Sequence, residues 1–284
     1  MTGATETLRT LQLPSGRYIP VYGQGTWGMG ERRQKRKSEA DSLRLGLDLG
    51  LKLIDTAEMY GDGGAEEVVG EAIAGRRGEV FLVSKVYPHN ADARGAIEAC
   101  ERSLRRLNTD YLDLYLLHWR GSVPLLETLE AFQSLKRAGK ILDYGVSNFD
   151  QADMEEAAAS RRGREIATDQ VLYNLVHRGV EWDLLPWCRR HNLPVMAYSP
   201  IEQGAMLNHT VLRRVASRHG ATAAQVALAW LLKQQGVIVI PKAASAGHVR
   251  ENRAAPDVAL TGDDMAELDQ AFPPPSGKVP LEMK

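Results

Sequence analysis

The chain has 284 residues, 44% of them hydrophobic and 25% charged, which is enough apolar material for a sizeable core and excludes disorder as its organising principle. Its 35 Lys and Arg against 36 Asp and Glu leave a formal net charge of -1, so electrostatics makes no case for nucleic acid or an anionic membrane as a partner. The opening stretch MTGATETLRT has no apolar signal core and no run approaches the roughly 18 apolar residues of a membrane span, so a cytoplasmic protein is expected.

Two apolar stretches, LRTLQL and YIPVY, flank Pro14-Ser15-Gly16, a hairpin signal able to plug the bottom of a barrel. Short apolar runs then alternate with longer 3.6-period segments. Strands are expected near 21–26, 51–54, 80–84, 112–117, 141–146, 167–171, 194–198 and 237–240. Helices are expected near 38–50, 64–75, 90–107, 123–138, 150–160, 180–191, 222–235 and 245–254. Such alternation argues for a parallel sheet with crossover helices. Ser38 with Asp41 reads as a helix cap, Pro124 suits a first turn, Gly139 and Gly220 suit helix stops, and Thr261 caps one more helix before an extended tail, FPPPSGKVPLEMK. With no linker or repeat in sight, a single domain over 1–284 is expected.

Within the first strand, Gly23-Gln24-Gly25-Thr26-Trp27-Gly28 matches the glycine pattern of dinucleotide folds. That motif requires its third glycine to open a helix, whereas here Met29-Gly30 and the basic run Arg32 to Lys37 intervene, and the acid about 20 residues on, Asp48, falls inside a helix pattern and reads as buried. The basic run reads as a solvated loop. Cys100 and Cys188 lie far apart inside amphipathic stretches, which suits reduced core thiols, and no metal-ligand set is spaced along the chain.

Four polar side chains stand where apolar strands give way to loops: Asp55 after LKLI, Tyr60 five residues on, Lys85 in VFLVSK, and His118 after LDLYLL. Each has a bland alternative: a cap for Asp55, a packed ring for Tyr60, a solvated Lys85, a core imidazole for His118. Their shared position at strand ends points instead to one pocket. The segments D-T-A-E-M-Y-G (55–61), Ser84-Lys85, L-L-H-W (116–119), G-V-S-N-F (145–149), A-Y-S-P (197–200) and I-P-K (240–242) together resemble an aldo-keto reductase over essentially the full length, and among these the bacterial branch that reduces small aldehydes of the methylglyoxal type.

The resemblance implies an α/β fold, a (β/α)8 TIM barrel with an N-terminal β-hairpin at the barrel bottom. It implies NADP as cofactor, with NADPH across the C-terminal face and NADH used less well. It also implies a small aldehyde or ketone as substrate, among them ketoaldehydes and sugar-derived carbonyls, and a monomer. Within this pattern Tyr60 is the proton donor, Lys85 eases the phenolate, Asp55 holds Lys85, and His118 orients the carbonyl. Ser147, Asn148 and Gln170 would meet the nicotinamide carboxamide and Tyr198 its ring. Ser199, Ile201, Gln203 and Met206 would lie beneath the pyrophosphate, and Lys242, His248, Glu251 and Asn252 near the adenosine phosphate. Ala243 and His248 stand where the family carries serine and arginine, so weaker discrimination against NADH is expected. Trp27, Tyr87 and Trp119 match pocket-lining positions, loops and tail look too short for a lid, and Arg120, if it faced the cleft, would attract anionic substrates. The competing reading is a barrel that binds nicotinamide cofactor as a redox sensor with little turnover.

Overall fold

The computed structural model describes residues 8–284; residues 1–7, which hold most of the stretch read for a signal, lie outside the described residues. Strands β1 (Thr10–Gln12) and β2 (Tyr18–Pro20) pair antiparallel with Leu11 opposite Ile19, around a turn in which Gly16 takes φ +86°. A left-handed turn position of this kind favours glycine because no Cβ is present to clash. Leu13 and Ile19 are buried among Leu53, Phe81, Val83 and Leu114, so the hairpin fills one end of the barrel interior. Arg17 fastens it there with contacts of 2.7 Å to Asp113 and 3.1 Å to Asp143. The opposite end is thereby left for function.

Eight parallel strands follow: β3 (Gly23–Gly25), β4 (Leu53–Asp55), β5 (Phe81–Val86), β6 (Leu112–Leu117), β7 (Ile141–Ser147), β8 (Asp169–Leu172), β9 (Val195–Tyr198) and β10 (Val237–Val239), hydrogen-bonded in chain order. Val239 N–H donates to the Val21 carbonyl at 2.9 Å and Gly25 N–H to that of Pro241 at 3.0 Å, closing the sheet into a barrel. Helices α1 (Arg36–Asp48), α2 (Gly64–Ile73), α3 (Gly95–Leu107), α4 (Leu125–Arg137), α5 (Gln151–Ala158), α6 (Leu184–Arg190), α7 (Thr210–Arg218), α8 (Ala223–Leu232), α9 (Ala246–Arg253) and α10 (Gly262–Ala271) complete it. No helix among the described residues is long and apolar enough to cross a membrane.

The glycines of the apparent dinucleotide motif serve the barrel wall. A Cβ on Gly23 would stand 2.6 Å from the Leu53 side chain, and one on Gly25 2.8 Å from the Ile240 carbonyl oxygen. Gly30, at φ +74°, packs so tightly on Gly64 that a Cβ would meet its backbone at 2.1 Å. Gly30→Ala is therefore expected to cost more than about 2 kcal/mol, because it adds left-handed strain to a backbone clash; a urea midpoint within error of wild type would refute this.

Several expected boundaries move. Helix α1 starts at Arg36, so Ser38 is no cap; its hydroxyl donates to the Lys35 carbonyl at 2.8 Å, and Asp41 pairs with Lys37 and Arg44. Asp48 is exposed, not buried, and meets Arg76 at 2.6 Å. The run from 90 becomes helical only at Gly95, where the Asp92 carboxylate accepts its N–H at 2.7 Å. Helix α7 was not expected, although Leu212, Val215 and Ala216 bury one face and Gly220, at φ +58°, stops it. Cys100 and Cys188 are free and buried, and burial pushes the Cys100 thiol up to about 12. Thr261 caps α10 with a reciprocal bond to Asp264, as read.

Candidate active site

The alternation of a strand separates Ser84 from Lys85. Ser84 points outward and donates to the buried Glu66 at 2.5 Å, while Lys85 points into the barrel and is fully buried. The Lys85 ammonium has three donors and three acceptors: Asp55 Oδ2 at 2.8 Å, the Thr56 carbonyl at 2.8 Å and Tyr60 Oη at 3.2 Å. Tyr60 arrives from the turn that follows β4, and His118 from the end of β6, their rings edge to face at 5.7 Å. The four strand-end residues thus converge. An ammonium can only donate, so the Tyr60 oxygen accepts from Lys85 and its own O–H is left to point elsewhere.

Burial raises the Tyr60 hydroxyl above the ordinary tyrosine value and outweighs the lowering by Lys85. Lys85 thus eases the phenolate as expected, while desolvation sets the net direction and Tyr60 keeps its proton. For Lys85, burial pulls downward, but Asp55 and Tyr60 more than offset it and the ammonium persists. Burial, with Lys85 nearby, lowers His118 to about 2, so it is a neutral imidazole. Its Nδ1 is buried without a partner among the described residues.

The His118 shift has a consequence for acid stability. An unfolded histidine takes up a proton below about 6.5, and the folded one does not until about 2, so stability is lost as pH falls between them, at no more than about 1.4 kcal/mol per pH unit. His118→Asn is expected to lose less stability than wild type between pH 7 and 5. Parallel stability profiles for the two proteins would overturn the assignment.

Above the tetrad, the remaining strand ends form a connected band. Gln170 Nε2 donates to Asp55 Oδ1 at 2.8 Å, holding the carboxylate from the side away from Lys85. Ser147 Oγ donates to the Gln170 carbonyl at 2.8 Å. Asn148, at φ +60°, donates to the His118 carbonyl at 3.0 Å and accepts the Tyr198 hydroxyl at 2.9 Å. Tyr198 is half-buried, its hydroxyl tied to Asn148 and its ring packed on the interior cluster while part of it stays accessible. Ser199 and Gln203 take left-handed backbone, Ile201 is half-buried and Met206 buried. Lys242 is exposed and forms no hydrogen bond or ion pair with any described residue, while His248, also exposed, lies in the first turn of α9, beside Ser245. Glu251 is half-buried and Asn252 buried. An untied ring, an unpaired cation and amide groups at adjacent strand ends fit a phosphorylated, aromatic cofactor.

On the rim, Tyr87 and Trp119 meet edge to face at 5.8 Å and Trp119 lies 4.9 Å from His118. Trp27 follows β3 and is 54% exposed, making no ring contact with either. Arg120 does not face the cleft freely: Asp153 at 2.6 Å and Glu156 at 2.7 Å clamp it against α5. Two groups had no role in the sequence reading. Glu58, quoted only within its motif, accepts from Tyr87 N–H at 2.8 Å and Asn90 at 3.0 Å, fixing the pocket wall. The tail was read as brief, yet it runs back to this end of the barrel, where Lys284 N–H lies 3.3 Å from Tyr198 Oη. A buried acid inside a polar motif was the available signal for Glu58; nothing local signals the tail's path.

A model of the aldo/keto reductase family matches residues 21–272. Methylglyoxal reductase YeaE of Escherichia coli is 55% identical over 270 residues, covering 93% of this chain and 95% of that protein. Glyoxal reductase of Bacillus subtilis is 33% identical, with coverage of 92% and 91%. An aldo/keto reductase from Klebsiella pneumoniae solved with NADP and acetate superposes with a TM-score of 0.95 at 50% identity, over 98% of this chain and 100% of that one.

Proposed function

The chain belongs to the aldo/keto reductase family, and from that premise we infer that it is an NADPH-dependent oxidoreductase of the alcohol dehydrogenase type, reducing small aldehydes and ketones to alcohols. The observation that carries the mechanism is the three-way contact of Lys85 with Asp55, Thr56 and Tyr60. Bound NADPH supplies hydride to the carbonyl carbon. Tyr60 gives its proton to the oxygen as the alkoxide develops, and Lys85, 3.2 Å away, stabilises the phenolate left behind. Asp55 and Gln170 keep the ammonium aimed, and neutral His118 offers the same oxygen an N–H dipole without a competing charge. Ser147, Asn148, Gln170 and Tyr198 would hold the nicotinamide end, Ser199, Ile201, Gln203 and Met206 the pyrophosphate, and Lys242, His248, Glu251 and Asn252 the adenosine end.

The substrates are neutral dicarbonyls of the methylglyoxal kind, taken by a monomer in the cytoplasm. The relatives' named activities support the substrate class, as does the rim itself: Tyr87 and Trp119 are aromatic, and Arg120 beside them is already neutralised by two carboxylates. NADPH oxidation measured with methylglyoxal, glyoxal and an anionic keto acid of similar size tests the reading. Turnover is expected to favour the neutral pair; cofactor binding with no turnover on any carbonyl would sink it in favour of a sensor.

Lys242 is an exposed cation with no ion-pair partner among the described residues, and only NADPH carries the extra phosphate. Lys242→Met is expected to raise KM for NADPH roughly three- to tenfold and leave that for NADH within about twofold. Equal effects on both cofactors would show that Lys242 does not read the phosphate.

A further inference from the structure

The chain beyond α10 is anchored at successive points across the top of the barrel. Lys278 meets Asp183 at 3.1 Å. Val279 then passes over Gly179 so closely that a Cβ there would stand 2.6 Å from its Cγ2. Glu282 bonds to His177 Nδ1 at 2.8 Å, and the Lys284 ammonium pairs with Glu202.

Glu202 belongs to the turn after β9, where Ser199, Glu202, Gln203 and Gly204 all have positive φ, from 48° to 93°. Three of the four carry side chains, each at a cost of roughly 1 kcal/mol or more in that region, so the turn keeps its shape only because contacts hold it. Those contacts converge on Glu202. Asn174 donates to Glu202 Oε2 at 2.9 Å and to the Ser199 carbonyl at 2.8 Å, and His177 Nε2 reaches the same carboxylate at 3.2 Å. From below, the turn is held by Asn174 and His177; from above, by the tail.

We propose that residues 278–284 form a strap that holds the 199–204 turn in its cofactor-receiving shape, with Glu202 as the positioning residue through which it acts, so that cofactor exchange requires the tail to lift. The proposal rests on the reading that this turn lies along the cofactor. The hydrogen bond from the tail meets Tyr198 at its hydroxyl rather than at its ring, so the strap and a stacked nicotinamide are compatible. Among the described residues no hydrogen bond or ion pair joins the strap to Asp55, Tyr60, Lys85 or His118, so the hydride step itself should not depend on it.

Two variants loosen the strap by different physics and spare the tetrad. Gly179→Val drives a side chain into Val279 at a position whose φ is not left-handed. The double variant Glu282→Gln with Lys284→Met removes the two charged contacts to His177 and Glu202 and leaves the Lys278 pair with Asp183 in place. Both should melt as wild type. Hydrogen exchange at 199–208 in the cofactor-free protein is expected to quicken by about tenfold, and NADPH dissociation in stopped flow by about fivefold, with single-turnover reduction at saturating NADPH within about twofold of wild type. Wild-type exchange in both variants overturns the strap. Faster exchange with unchanged NADPH dissociation overturns its coupling to the cofactor. Failure of the functional reading is separable, because it appears as absent NADPH turnover in the wild-type protein whatever the exchange data show.

Discussion

Tyr60→Phe is expected to lower carbonyl turnover by roughly 10²- to 10⁴-fold, with NADPH affinity within about twofold of wild type. The substitution deletes one oxygen. The ring that remains keeps its edge-to-face contact with His118 at 5.7 Å and its place 4.8 Å from the Lys85 ammonium, so the cleft is not reshaped. What disappears is the proton aimed away from Lys85, and no other acid with that geometry stands beside it. Because burial raises the Tyr60 hydroxyl, the wild-type acid is present throughout the neutral range, and reduction should fall only on the alkaline side. Oxidation of alcohols needs the phenolate and should strengthen with pH. Titrating both directions checks the sign, and wild-type-like turnover in Tyr60→Phe would end the assignment.

Removing the ammonium should cost stability as well as activity. Lys85→Met leaves the Asp55 carboxylate buried with only Gln170 to oppose its charge, and breaking a buried pair from one side costs about 3–5 kcal/mol. Adding Asp55→Asn removes the stranded charge and should recover most of that loss, while turnover stays at the level of the single variant. Urea denaturation and steady-state kinetics on the three proteins separate the two effects. If the double variant were no more stable than Lys85→Met, the cost would lie in lost packing of the lysine stem rather than in the unpaired carboxylate.

The tetrad was legible because its members sit at strand ends, where a charged or phenolic side chain has no packing role to play. Asp55, Lys85 and His118 could each be placed from the apolar run before it, and Tyr60 from its motif. Helix boundaries were less legible. Ser38 resembles a cap only locally; the ion pairs of Arg36 with Glu67 and Glu71 of α2 extend α1 backwards past it. Arg120 shows the same limit from the other direction, since two carboxylates 33 and 36 residues away decide where its charge goes.

The count of eight strands, the hairpin and the polar residues that end the apolar runs follow from the chain's own periodicity and punctuation, because alternation and turn chemistry are local properties; the cofactor-facing groups came from the family resemblance. Contacts between distant segments were decided by tertiary structure alone: Gln170 behind Asp55, Glu58 behind Tyr87, the neutral His118, and the tail brought over Gly179 to Glu202. Desolvation and ion pairing depend on what surrounds a group in space, and barrel closure sets those surroundings by joining residues 29 positions apart, as for Glu58 and Tyr87, to 115 apart, as for Asp55 and Gln170.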